Sequence, residues 1–288
     1  MLVGRVKGSQ PLIILAVMAA LLAAAVLAWS VRHGAPPAPR SAQPAAAMAS
    51  APNQPERLKV KVLATRPHDP TAFTQGLLVH AGSLYESTGL YGSSSVREVD
   101  PITGTVKRKA DVPSQYFAEG LALVDDRLIQ LTWKEQKALV YQLAGFAPAG
   151  ELRYEGEGWG LCWDGRRLVM TDGSDKLTFR DPKTFAFLGE VTVTRADRMG
   201  EQVANLNELE CVDGLVYANV WQTDEILRID PKDGRVSAVI DASGLLTPEE
   251  RQKTDVLNGI AWDPQRKLFL ITGKLWPKLF EVTFVPAG

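Results

Sequence analysis

Several absences narrow this chain. Only 2 cysteines occur in 288 residues, which excludes a small scaffold built from disulfides. The 3 histidines (His33, His68, His80) are scattered, and no His/Cys/Asp spacing resembles a zinc site, so no metal and no cofactor is expected. Neither sign of charge is in excess: 32 Lys and Arg stand against 33 Asp and Glu, for a formal net charge of −1. A nucleic-acid partner would want a basic face, so none is expected.

The one long apolar run lies at the start. Arg5 and Lys7 precede Gly8–Val31, which has no charged residue and an apolar heart over residues 11–29. Residues 1–31 read as a signal peptide or a retained signal anchor, the apolar heart being longer than a usual signal core and long enough to span a bilayer. No cysteine follows it closely, which excludes a lipoprotein. Either form implies export, to the periplasm or outside the cell, with tethering to the inner membrane if the anchor is kept. Residues 32–56 are rich in Ala, Pro and Ser and read as a spacer. The remaining domain is then 57–288.

That domain repeats. Five short apolar openings recur: Gln75-Gly76-Leu77-Leu78, Glu119-Gly120-Leu121-Ala122, Trp159-Gly160-Leu161-Cys162, Glu208-Leu209-Glu210-Cys211 and Asn258-Gly259-Ile260-Ala261. Their leading residues are 44, 40, 49 and 50 apart, and further short strands follow each. Such spacing is the mark of propeller blades. Asp100-Pro101, Asp181-Pro182 and Asp230-Pro231 supply turn chemistry between the third and fourth strands of three units. The fifth unit ends one strand short, while Leu58–Thr65 alternates polar and apolar residues and has no unit of its own. The expected fold is therefore all-β: a five-bladed β-propeller whose ring is closed by the N-terminal strand pairing with the last blade. Thr247-Pro248-Glu249-Glu250 predicts a short surface helix between the fourth and fifth units.

In such a ring the openings meet at one mouth, bringing Phe73, Gln75, Phe117, Glu119, Trp159, Asn207, Glu208 and Asn258 together. Following loops add Trp133, Trp221, Lys274 and Trp276, with Trp133 and Trp221 each 14 residues after an opening residue, Glu119 and Asn207. Aromatics with a few polar groups make a small-ligand site. Taken singly, each Trp or Phe is as readily core, each amide a loop hydrogen-bonder, and Lys274 an exposed cation. Glu119 is harder to explain so, because a carboxylate between Phe117-Ala118 and Gly120-Leu121-Ala122 is costly to bury without a task. Burial would raise its pKa toward the range useful for proton transfer. Cys162 and Cys211 hold matched positions in consecutive repeats. A bond between them is conceivable in an oxidising compartment, but the plainer expectation is two buried thiols acting as small apolar side chains.

Phe73-Thr74-Gln75-Gly76-Leu77, Tyr116-Phe117-Ala118-Glu119-Gly120, Gly158-Trp159-Gly160-Leu161 and Thr171-Asp172-Gly173-Ser174 resemble the glutamine cyclotransferase family of plant and bacterial type. So do Asn207-Glu208-Leu209-Glu210, Tyr217-Ala218-Asn219-Val220-Trp221, Leu257-Asn258-Gly259-Ile260-Ala261 and Thr272-Gly273-Lys274-Leu275-Trp276-Pro277. The resemblance covers Leu58 to Phe284 and implies a five-bladed propeller enzyme. It further implies an aminoacyltransferase that turns N-terminal glutaminyl residues of peptides or proteins into pyroglutamyl, releasing ammonia without a metal. Glu119 would then be the general acid/base. Phe73, Phe117, Trp133, Trp159 and Trp221 would wall the folded-back substrate, while Gln75, Asn207 and Lys274 would hold its amide and the developing oxyanion. Glu208, Glu210 and Asn258 would support them from behind. A monomer is expected. The rivals are a lactonase-like hydrolase with a channel metal and a non-catalytic peptide-binding propeller, for neither of which Glu119 and the aromatics together are the natural inventory.

Overall fold

A computed structural model describes residues 54–288. The expected leader (1–31) lies outside the described residues, as does the spacer (32–56) except for its last three positions, where Glu56 already opens a strand. The regular structure of the described chain is nearly all strand. After β1 (Glu56–Pro67) come β2 (Thr74–His80), β3 (Ser83–Thr88), β4 (Ser95–Val99) and β5 (Val106–Asp111), an antiparallel sheet in that order. A second sheet holds β6 (Ala118–Val124), β7 (Arg127–Thr132), β8 (Lys137–Gln142) and β9 (Pro148–Arg153). A third holds β10 (Leu161–Trp163), β11 (Leu168–Met170), β12 (Lys176–Arg180) and β13 (Phe187–Thr192). A small ribbon follows, β14 (Thr194–Arg195) against β15 (Glu201–Gln202).

The last two runs are joined into one sheet. β16 (Leu206–Val212), β17 (Leu215–Val220), β18 (Glu225–Ile229) and β19 (Val236–Asp241) form one half, and β20 (Leu257–Asp263), β21 (Leu268–Gly273) and β22 (Lys278–Pro286) the other. β1 lies between them, antiparallel to β22 from Leu58↔Pro286 to Pro67↔Lys278 and parallel to β19 over Glu56–Lys59. The strand that has no unit in the sequence thus pairs with the run that is one strand short, and both gain ladder hydrogen bonds.

Local chemistry explains the turns. Asp100 Oδ1 accepts from the amides of Ile102 and Thr103, Asp181 Oδ1 from those of Lys183 and Thr184, and Asp230 Oδ1 from that of Lys232. The short helix α1 (Pro248–Arg251) begins where its sequence predicts. Thr247 and Glu250 form a reciprocal capping box, and Pro248 occupies the first turn, where no amide hydrogen is needed. The ribbon β14–β15 has no counterpart in the expected pattern. It is organised by Arg195, whose buried guanidinium bonds Asp197 and Glu225.

The core is a series of apolar layers between consecutive sheets. Leu121, Leu128 and Leu139 pack with Leu78, Tyr85 and Val96. Leu161, Leu168 and Met170 pack with Ala122, Ile129 and Leu131, and Val169, Leu177 and Phe179 with Leu209, Val216 and Leu227. Ile226 and Ile240 meet Ile260, Phe269 and Ile271, and Ala261, Leu268 and Leu270 meet Leu77, Leu84 and Val99. Each fully buried Leu or Ile contributes roughly 1.5–3 kcal/mol. The leading strands β2, β6, β10, β16 and β20 touch in that order, and β20 also touches β2.

Glycine at the head of four openings now has a reason. A Cβ on Gly76 would lie 2.6 Å from the Leu121 amide nitrogen, and one on Gly160 would lie 2.1 Å from the Asn207 carbonyl oxygen. At Gly76, Gly120 and Gly160 the leading strands approach too closely for any side chain, whereas Gly259 has a φ of +125°, which residues with a side chain rarely adopt.

One expectation is corrected. Cys162 and Cys211 are not separate thiols but a disulfide, with Cα atoms 5.5 Å apart, inside the usual range for such a bridge. β10 and β16 are neighbouring leading strands, so matched repeat positions face each other. The bond spans 49 residues of sequence, and closing such a loop in the unfolded chain is worth about 4 kcal/mol in the chain-entropy account.

Candidate active site

The residues that head the leading strands sit in irregularities of the ladder. Register shifts fall between Thr74 and Gly76, between Ala118 and Leu121, between Leu206 and Leu209, and between Leu257 and Ile260. Gln75, Glu119, Asn207, Glu208 and Asn258 all lie within those intervals. A bulge frees a side chain from the in–out alternation of a regular strand and re-aims it. Trp159 stands just before β10, with its amide donating to the Thr171 carbonyl at 3.0 Å. The loops repeat too: the Trp133 amide donates to the Phe117 carbonyl at 2.9 Å and the Trp221 amide to the Asn205 carbonyl at 2.8 Å.

All nine expected site residues line one cavity of 450 Å³: Phe73, Gln75, Phe117, Glu119, Trp133, Trp159, Asn207, Trp221 and Lys274. Its walls are half-exposed aromatics in edge-to-face contact. Phe73 meets Phe117 at 6.1 Å, Phe117 meets Trp133 at 5.6 Å, and Trp159 meets Trp221 at 5.7 Å between centroids. Two walls share an anchor, because Glu157 Oε2 accepts from both indoles, Trp133 Nε1 at 2.7 Å and Trp159 Nε1 at 3.0 Å.

The polar groups are buried. Gln75 Nε2 donates to Glu119 Oε1 at 3.0 Å, and Asn258 Nδ2 donates to Gln75 Oε1 at 3.1 Å and to the Thr74 carbonyl at 2.9 Å. Asn258 therefore orients the glutamine amide so that its nitrogen points at the acid. Glu119 Oε2 has no hydrogen bond among the described residues. Asn207 Oδ1 is buried without a partner among them. Burial pushes Glu119 well above the ordinary carboxylate range; Lys274 opposes the shift, while Glu157 and Glu135 add to it. Burial in turn pushes Lys274 down, opposed by Glu119 and Asp255, and its Nζ lies 4.9 Å from the Phe73 ring centroid.

Behind Lys274 lies a group that sequence reasoning missed. His68 joins the Trp276 carbonyl through Nδ1 at 2.7 Å and Glu86 through Nε2 at 3.0 Å, and Thr74 Oγ1 donates to the same Glu86 oxygen at 2.7 Å. Burial works against a charged His68, but Glu86 outweighs it and the pKa is raised. This knot ties β3 to the loop that carries Lys274. Trp276 itself does not face the cavity. It is buried in the layer with Ile271 and Phe280, with Nε1 on the Asp255 carbonyl at 2.9 Å. Gln222, Asp255 and Val256 complete the lining and were not anticipated, since nothing in the repeat marks them. Glu157 stands two residues before Trp159 in a loop between units, where nothing in the repeat marks it either.

Among the described residues no three His, Cys, Asp or Glu side chains cluster as a metal-binding set. What the site can do is exchange a proton at Glu119 against a group held within aromatic walls. An all-β scaffold that gathers a raised carboxyl, a depressed lysine and several indoles defines a protein with a partly open, aromatic-walled site for a small polar group.

The particular family follows from comparison. Residues 37–284 match the family described as Glutamine cyclotransferase, and the chain belongs to that family. A glutaminyl-peptide cyclotransferase of Arabidopsis thaliana is 44% identical over 237 residues, covering 80% of this chain and 72% of that protein. The crystal structure of Myxococcus xanthus glutaminyl cyclase superposes with a TM-score of 0.73 at 39% identity, covering 82% of this chain and all of that one.

Proposed function

We propose that this chain is a glutaminyl-peptide cyclotransferase, closing the N-terminal glutaminyl residue of a peptide or protein to pyroglutamyl with release of ammonia. The observation that carries this reading is Glu119. It is a buried acid with a raised pKa and one uncommitted oxygen, set in a cavity of 450 Å³ walled by aromatics. In the reaction the substrate's α-amine gives up a proton and its nitrogen attacks the side-chain amide carbon. The tetrahedral intermediate then collapses, breaking the bond to the amide nitrogen, which leaves as ammonia once protonated. Glu119 as carboxylate takes the first proton and returns it to the leaving nitrogen, so the enzyme ends unchanged and no metal is needed. A pKa raised above the ordinary carboxylate range suits both halves of that exchange.

The aromatic walls hold the side chain folded back on its amine, and an intramolecular attack gains most when that geometry is imposed. Lys274, the Gln75 amide and the Asn207 side chain line the cavity and hold the substrate amide and the developing oxyanion. The architecture we propose is a five-bladed propeller closed by β1. The cyclic contact of the leading strands and the apolar layers between consecutive sheets support it. We also propose export through residues 1–31, with the disulfide as support, since such bonds persist in oxidising compartments. Action as a monomer completes the reading.

The test is ammonia release from Gln-initiated peptides by the purified chain, with and without a chelator. Stoichiometric ammonia and pyroglutamyl product, unaffected by the chelator, is the expected result. No ammonia ends the reading, and loss with the chelator transfers it to a metal-dependent hydrolase.

A further inference from the structure

The cavity accounts for one residue of substrate, yet the substrate is a chain that must leave it. A groove of 340 Å³ with a mixed polar and apolar lining runs beside the cavity, and Gln222, Asp255 and Val256 line both. Two larger surface depressions, one between Glu135, Arg153 and Phe187 and one between Asp164, Phe179 and Lys232, share no lining residue with the cavity. The groove is tied to the site: the Asp255 amide donates to the Lys274 carbonyl and the Lys274 amide to the Val256 carbonyl, both at 2.9 Å. Its opposite wall, Gln222 to Asp224, continues directly from Trp221.

The chemistry of the groove suits peptide main chain. Gln222 presents an amide able to donate and accept, while the Thr223 and Thr254 hydroxyls, which already donate to the Val220 and Arg251 carbonyls, present oxygens able to accept. Its charges are unequal. Arg251 is paired with Asp224, whereas Asp255, at the junction with the cavity, has no ion pair among the described residues. A surplus carboxylate at the point where the second residue of a substrate would sit repels an acidic side chain there and accepts a basic one.

Building on the cyclotransferase reading, we propose that this groove is a second binding site, receiving the two residues after the N-terminal glutamine, with Asp255 selecting against an acidic second residue. The experiment measures kcat/KM by ammonia release for glutamine amide, Gln-Ala-Ala-amide, Gln-Lys-Ala-amide and Gln-Glu-Ala-amide. One or two added hydrogen bonds predict a gain of about tenfold from glutamine amide to Gln-Ala-Ala-amide, with the Lys peptide better than the Glu peptide. Thr254→Trp and Thr223→Trp, on opposite walls, each obstruct the groove, and the ratio of peptide to glutamine amide is expected to fall toward one in both. Asp255→Asn is expected to narrow the gap between the Lys and Glu peptides. A wild-type rate independent of length, or a ratio that neither tryptophan changes, overturns the proposal while leaving the cyclotransferase reading intact. No ammonia from any of the four compounds, glutamine amide included, removes that reading as well.

Discussion

Glu119 and Glu208 both lie inside a bulge of a leading strand, Glu208 one place further on, at the position that glycine takes in the other openings, and burial pushes both well above the ordinary carboxylate range. Their surroundings differ. Glu208 spends both oxygens on main chain, Oε1 accepting from the Leu77 amide at 3.2 Å and Oε2 from the Ile260 amide at 2.7 Å. It thus cross-links β16 to β2 and β20. Among the described residues Glu119 accepts only from Gln75; it faces a cavity and has Lys274 nearby. A buried acid becomes available for chemistry when its partners leave one oxygen free and a cavity gives a substrate access to it; burial alone makes a staple.

The contrast can be broken most sharply at Glu119. Glu119→Gln keeps size and the neighbouring amides but cannot take a proton, so kcat is expected to fall by about a thousandfold. The melting temperature should not fall, because a costly buried acid is removed. Ammonia release within tenfold of wild type would erase the distinction.

A third acid, Glu210, extends the comparison. Burial pushes it up to about 8, although Oε1 accepts from the Trp262 amide at 2.8 Å. The unfolded chain releases this proton at the ordinary value and the folded chain near 8, so its effect on stability is absent at low pH. A penalty then grows as pH rises through that interval. Glu210→Gln is therefore expected to match wild type near pH 4 and exceed its unfolding free energy by on the order of 2–3 kcal/mol at pH 9, allowing for a flank that still meets solvent. Denaturant melts at the two pH values measure this, and a gain of equal size at both would show that ionisation is not the cause.

Glu208→Gln should cost stability rather than turnover. One of two buried amides loses its acceptor, for about 1–3 kcal/mol, with kcat/KM within a few-fold of wild type. A turnover loss as large as that of Glu119→Gln would place Glu208 in the chemistry. Beside the turnover lost with an oxyanion donor, a smaller shift in pH dependence concerns Lys274, whose charge holds the Glu119 pKa down. In Lys274→Met that pKa rises further, and activity needs the carboxylate form, so the acidic limb of the kcat/KM profile should move to higher pH. Movement to lower pH would mean that the limb reports another group.

Much of this site is legible in the repeat. The openings that lead to Gln75, Glu119, Trp159, Asn207 and Asn258 stand out because their first residue varies against a constant apolar strand. Trp276 shows the limit. Two residues after Lys274 in a mouth-side loop, it reads as a wall residue like Trp221, yet it turns inward to the Asp255 carbonyl. Glu157 shows the converse. It looks like an ordinary loop charge, and only the convergence of two indole N–H groups on one of its oxygens makes it an anchor.

The sequence by itself determined the strands, the turns, the helix cap and the set of residue types delivered to each opening. Periodicity, Asp-Pro turns and capping pairs act over a few neighbours, so they are written locally. Tertiary structure alone decided that Cys162 meets Cys211, that Glu208 is tied while Glu119 is free, and that Gln222 and Asp255 continue the site into a groove. Those outcomes depend on which distant groups arrive at bonding distance and which oxygens lose water. Contacts between repeats 40 to 50 residues apart settle that, and no single repeat contains it.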